Sequence, residues 1–170
     1  MKRAVMIIAH QGFRDEELLE PKKVLESNNI DVKVASISLS QAKGKLGTLI
    51  NPDILFKDIK LTDLDALIFI GGPGSVDYWD DPLAHKLLQG AVSSGKVIGG
   101  ICAAAVTLAK SGILKGKKAT VFPGDAEELI NNGVNYTAAA VEQDGNIITA
   151  DGPRSAKSFG EEIEKALNKT

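Results

Sequence analysis

The sequence predicts a single doubly wound α/β domain over residues 1–170, its mostly parallel sheet covered by helices on both faces. Three observations lead there. Short, nearly continuous apolar runs recur along the chain, as strands buried on both faces require. They alternate with stretches of helical periodicity, the order of parallel βαβ units. No repeat, linker or low-complexity tract divides the chain, and 44% hydrophobic residues in 170 supply one ample core.

Residues 4–9 form the first expected strand. Although this apolar run follows a basic pair, the charges of Phe13-Arg-Asp-Glu-Glu17 end it too early for a signal peptide. Residues 16–28 place Leu18, Leu19, Val24 and Leu25 at roughly helical spacing. Asp31–Ser36 is the next strand, with Val32 and Val34 alternating against Lys33. Residues 38–60 are irregular, rich in Gly and Lys, and read as a small hairpin or loop excursion. Residues 66–70 make a strand that stops at Gly71-Gly-Pro-Gly74. Residues 83–93 are helical, and Val97–Ile101 is a strand running straight into the alanine-rich helix of residues 103–110. A strand at 118–121 and a helix at 125–131 follow. Residues 141–142 and Ile147–Ala150 then form a hairpin around Asp144-Gly145. An amphipathic helix at 155–167 completes the pattern.

Composition removes several function classes. Lys and Arg total 20 against 22 Asp and Glu, a net charge of −2, so electrostatics offers no case for nucleic acid or an anionic membrane. No stretch approaches the ~18 apolar residues needed to cross a bilayer. One cysteine, Cys102, excludes an intramolecular disulfide, and with two histidines it cannot build a Cys-rich zinc site. A cytoplasmic protein without metal or other cofactor is the expectation.

In doubly wound sheets, ligands bind beyond the carboxyl ends of the strands. Residues after Ala9, the Gly71–Gly74 loop and Cys102 all meet that condition. Cys102 sits where a strand turns into a helix without a loop, among the small residues Gly99, Gly100, Ala103, Ala104 and Ala105. That is the setting of a nucleophile elbow, and a helix N-terminus there favours the thiolate. The alternative is a small apolar residue at a tight junction. The glycine loop is either a turn needing positive φ or a close backbone approach to a ligand. In the second case the N–H groups of this loop would form an oxyanion site shared with the N–H of Ala103. Asp15, Glu16, Glu17 and Glu20 crowd the start of the first helix. They are either solvated charges or include one carboxyl turned towards the thiol, with a raised pKa and an acid–base role. His10 lies near the strand ends and is a possible accessory group. His85 reads as a surface residue and Trp79 as packing or an interface aromatic.

Taken together, residues 4–9, Glu17-Leu-Leu-Glu-Pro21, Ile68-Phe-Ile-Gly-Gly-Pro-Gly74, Gly99-Gly-Ile-Cys-Ala103, Asp144-Gly-Asn-Ile-Ile-Thr149 and Gly152-Pro153 make the chain resemble the ThiJ/PfpI superfamily, with its DJ-like and PfpI-like members, over essentially its whole length. The resemblance implies a flavodoxin-like three-layer sandwich of the class I glutamine amidotransferase kind, and a homodimer. It selects Glu17 from the acidic cluster as the carboxyl that meets Cys102, and it assigns Gly72 and Ala103 as backbone donors. Two departures stand out. PfpI-type peptidases carry a histidine directly after the cysteine and a glutamate beyond the Gly-Gly pair; here these positions hold Ala103 and Val76. DJ-like members often place a histidine before a proline where this chain has Phe122 before Pro123. Without an imidazole a peptidase lacks its general base.

The expected function is therefore glyoxalase- or deglycase-type chemistry on a small carbonyl substrate, with Cys102 as nucleophile and Glu17 as acid and base. The alternatives are a cysteine redox sensor whose partner is an oxidant, and a binding or chaperone-like module.

Overall fold

The computed structural model describes residues 1–169. Strand β1 (Arg3–Ile7) is buried after its first residue, as its apolar run requires. β2 (Gln11–Phe13) leads into α1 (Asp15–Ser27) and β3 (Asp31–Ser36). Three short strands follow: β4 (Ala42–Gly44), β5 (Leu49–Ile50) and β6 (Ile54–Leu55). The central units are β7 (Ala66–Phe69), α2 (Pro82–Ser93), β8 (Val97–Ile101) and α3 (Ala105–Lys110). Then come β9 (Lys118–Ala119), α4 (Ala126–Asn131), β10 (Asn135–Tyr136), β11 (Val141–Asp144), β12 (Ile147–Ala150) and α5 (Ala156–Asn168).

Seven strands form the main sheet in the order β11-β12-β8-β7-β1-β3-β6. All its pairings are parallel except the β11–β12 hairpin at one edge. Alternate side chains of one strand serve two cores, as the two-residue period dictates. Val5, Ile7, Leu67 and Phe69 pack with residues of α2, α3 and α4 on one side. Ala4, Met6, Ile8, Ile68 and Ile70 pack with α1 and α5 on the other. The expected three-layer α/β sandwich is what forms. At β8 a Cβ on Gly99 would lie 2.9 Å from the Phe159 ring and one on Gly100 3.0 Å from Leu108. These two glycines let helices press on the strand that carries Cys102.

Three local expectations change. Of residues 118–121 only Lys118–Ala119 pairs as a strand, and with β10 in a separate two-stranded sheet, because Thr120 N–H is taken by the Thr149 hydroxyl. The irregular segment 38–60 holds the antiparallel β4–β5 hairpin, and β4 adds in parallel to β2 as a small third sheet. Finally, Cys102 does not open an α-helix. A 3₁₀ turn over Cys102–Ala104 intervenes, and α3 is only six residues long. No helix among the described residues is long and apolar enough to cross a membrane.

Candidate active site

Adjacent parallel strands β1, β7 and β8 end at the same edge of the sheet, and the chain leaving each one contributes to a single cavity of about 350 Å³. Cys102, directly after β8, has φ +59. An L-residue in the left-handed region is uncommon and costs roughly 1–2 kcal/mol, so the surrounding structure holds it there. That strained turn matches the predicted elbow and puts the half-buried thiol on the cavity wall.

Glu17 lies on the stripe of α1 that faces inwards with Leu18, Pro21 and Leu25. Its side chain is fully buried, and neither carboxyl oxygen has a partner in full hydrogen-bonding geometry. Burial pushes its pKa up to about 7, while the Cys102 thiol, the Arg14 charge and the Gly71 amide pull in the opposite direction. Gly71 occupies the space between the pair. A Cβ there would strike Glu17 Oε1 and lie 2.8 Å from Cys102 Cβ.

The thiol is not the resting thiolate that a helix N-terminus suggests. Burial, followed by the Glu17 charge, pushes Cys102 up to about 12, although the Ala103 and Gly72 N–H groups favour its anion. Three physical reasons correct the expectation: the helix starts late, the sulfur is desolvated, and a second acid stands beside it. Near neutral pH Glu17 is therefore the group of the pair that changes charge, while the thiol keeps its proton.

The Gly72 and Ala103 N–H groups both lie against the Cys102 sulfur. Gly72 has φ +106, and a Cβ on it would meet Gly12 O at 2.5 Å and Phe13 C at 2.8 Å, so no other residue fits this turn. Its carbonyl accepts from Ser75 N–H at 3.0 Å and Ser75 Oγ at 2.7 Å. The Gly72 N–H that faces the sulfur shares its peptide with the Gly71 carbonyl, which accepts from Arg14 N–H at 2.9 Å. Ala103 has its carbonyl held by the Trp79 indole N–H at 2.9 Å.

His10 is not brought to this pair. Its Nε2 bonds to Ser40, 3.2 Å from the carbonyl and 3.0 Å from the hydroxyl, and the residue does not line the cavity. His85 does not line the cavity either, but its Nε2–H donates to the Trp79 carbonyl at 2.7 Å. Val76 and Phe122 form apolar parts of the wall.

Several lining residues were not legible as site residues: Arg14, Lys45, Pro73, Trp79, Asp125 and Pro153. Arg14 pairs with Glu16 through Nε at 3.1 Å and Nη2 at 3.0 Å. Lys45 arrives on the β4–β5 hairpin, which buried Asp15 anchors by accepting from Leu46 N–H and Thr48 N–H, both at 2.8 Å. Only the position of Glu17 had a usable signal. Stepping back by fours from Leu25 along the buried stripe gives Pro21 and then Glu17.

Known proteins resemble this chain over nearly its whole length. Residues 2–166 match the DJ-1/PfpI family. An uncharacterized protein of Methanocaldococcus jannaschii is 41% identical across 98% of this chain and 83% of its own. A deglycase of Pyrococcus abyssi is 30% identical across 96% and 98%, respectively. A glutathione-independent glyoxalase of Caenorhabditis elegans is 29% identical across 98% and 89%. The crystal structure of a ThiJ/PfpI domain protein from Brachyspira murdochii superposes with a TM-score of 0.96 at 33% identity, covering 99% of this chain and 97% of that one. The family match over nearly the whole chain and the shared fold lead to one statement: the chain belongs to the DJ-1/PfpI family.

Proposed function

We propose that this protein is a cysteine-dependent enzyme of the glyoxalase or deglycase type, acting on small reactive carbonyls through Cys102 and Glu17. The observation that carries the reading is the buried, unpartnered Glu17 carboxyl beside the only thiol on the same cavity. The names of relatives at moderate identity point to the same chemistry.

A carboxylate with a pKa of about 7 next to a thiol pushed up to about 12 is suited to general-base attack. As Cys102 Sγ bonds to the aldehyde carbon of a 1,2-dicarbonyl, its proton passes to Glu17, and the Gly72 and Ala103 N–H groups hold the developing alkoxide. Glu17 returns that proton to the alkoxide, which gives a hemithioacetal and frees the carboxylate. Glu17 then removes the proton from the former aldehyde carbon and delivers one to the neighbouring carbon, through an enediolate. The product of this shift is an α-hydroxy thioester of Cys102. Water cleaves it to a hydroxy acid and restores the thiol, so the net change is addition of water with no external oxidant.

The redox-sensor alternative uses the same thiol, and the single cysteine leaves no partner within the chain to resolve an oxidised sulfur. Lactate formation from methylglyoxal tests the proposal. The native protein is expected to form lactate, and Cys102→Ser and Glu17→Gln are each expected to lose at least about 100-fold in kcat/KM. Absence of lactate above buffer with the folded native protein overturns it.

A further inference from the structure

The wall beyond the Cys102–Glu17 pair has more room and less polarity than a three-carbon aldehyde needs. We infer that the preferred substrate is a 1,2-dicarbonyl whose ketone side carries an apolar, ring-sized substituent, selected by Phe122, Val76 and Trp79. This deepens the proposed carbonyl chemistry and rests on it.

Size is the first observation. At about 30 Å³ per water-sized group, a dicarbonyl of five heavy atoms fills less than half of the 350 Å³ cavity. Apolar exposure is the second. Phe122 is 46% and Val76 50% exposed, and both line the same cavity as the thiol. Large apolar groups left open beside a reactive centre mark a surface that a ligand covers. Rigidity is the third. Trp79 is held at both ends of the residue: its indole N–H donates to the Ala103 carbonyl at 2.9 Å, and its own carbonyl accepts from His85 at 2.7 Å. Phe122 sits on a closed turn, with its carbonyl accepting from Asp125 N–H at 2.8 Å. A preset wall loses little conformational freedom when the ligand arrives.

The charged residues on the wall do not favour an anionic substituent instead. The Arg14 guanidinium is engaged in two hydrogen bonds to Glu16, and Lys45 shares the wall with Asp125.

Two measurements with purified protein test the inference. The first is kcat/KM for phenylglyoxal relative to methylglyoxal. The second is the alkylation rate of Cys102 by iodoacetanilide relative to iodoacetamide, each normalised to N-acetylcysteine. In alkylation the sulfur displaces iodide and releases a proton, so this reading needs no turnover. Both ratios are expected to favour the aromatic compound by about tenfold or more. They are expected to fall several-fold in Phe122→Ala and again in Val76→Asp, with thermal melting confirming that each variant folds. Normalised ratios near one in the native protein, or ratios unmoved by both substitutions, overturn the inference even if methylglyoxal is turned over. If neither dicarbonyl reacts but the alkylation preference is present and lost in Phe122→Ala, the enzymatic reading fails while recognition of an apolar ring by this wall stands.

Discussion

The Glu17 carboxyl and the Cys102 side chain face each other across the bare backbone of Gly71: a Cβ on that glycine would strike Glu17 Oε1 and stand 2.8 Å from Cys102 Cβ. Two acids from separate elements, α1 and the end of β8, are thereby held in one desolvated space. Most of the protein's expected behaviour follows from that arrangement.

Gly71→Ala should disrupt both partners at once. The added methyl also meets the Ile101 carbonyl at 2.6 Å, and backbone cannot give way as a flexible side chain does. A destabilisation of about 2–3 kcal/mol is expected from overpacking at this site. Denaturant unfolding should show it as a lower midpoint, and the thiol should become more reactive towards a maleimide as the pair separates.

Stability should depend on pH through Glu17. Its pKa is raised from 4.5 to about 7 on folding, so between those values the native state binds the extra proton. The stabilising contribution is fully present below about 4.5 and is lost as pH rises through about 7. Glu17→Gln removes the buried charge and should melt higher than the native protein at pH 8. The gain should be limited to ~3 kcal/mol by linkage and should shrink towards zero at pH 4. Calorimetric melts at the two pH values check the crossover.

Catalysis should show the opposite slope. If ionised Glu17 takes the thiol proton, kcat/KM for methylglyoxal rises tenfold per pH unit below about 7 and levels above it. A rate profile between pH 5 and 9 reads this directly. Glu17→Asp, with a shorter reach, should lower the plateau.

Asp15 tests the second carboxyl of the same helix, whose role is mechanical. Burial opposes its charge, but hydrogen bonds from Thr48 and Leu46 outweigh burial and lower its pKa. Its contribution is therefore present above about 3.8 and lost as pH falls through the lower folded value. Asp15→Ala should cost about 2–3 kcal/mol at pH 7, since two N–H groups lose a charged acceptor. Hydrogen exchange should show the Leu46 and Thr48 amides freed first.

Much of this arrangement was legible because its signals are local. The apolar runs and their helical spacers specify a parallel sheet, and glycines or alanines around Cys102 specify a crowded elbow. Glu17 was selected from Asp15, Glu16 and Glu20 by family resemblance, although its place on the Leu25–Pro21 stripe is a physical sign of burial. What could not be read depends on contacts distant in sequence. The Asp15 bonds cross more than thirty residues to the hairpin, and the Trp79 bond to Ala103 crosses 24. The thiol's acidity also escaped, because desolvation and the Glu17 charge belong to the folded site and outweigh the short helix behind Cys102.

Titration of the Cys102 thiolate by its absorbance near 240 nm, in the native protein and in Glu17→Gln, probes the acid–base couple most directly. Circular dichroism at each pH confirms that the fold persists. The coupled site predicts a native thiol that stays protonated well above its ordinary value of 9.0, and a clear downward shift once the Glu17 charge is removed. Coincident titration curves for the two proteins would contradict it, because they would mean that Glu17 and Cys102 do not share a charge.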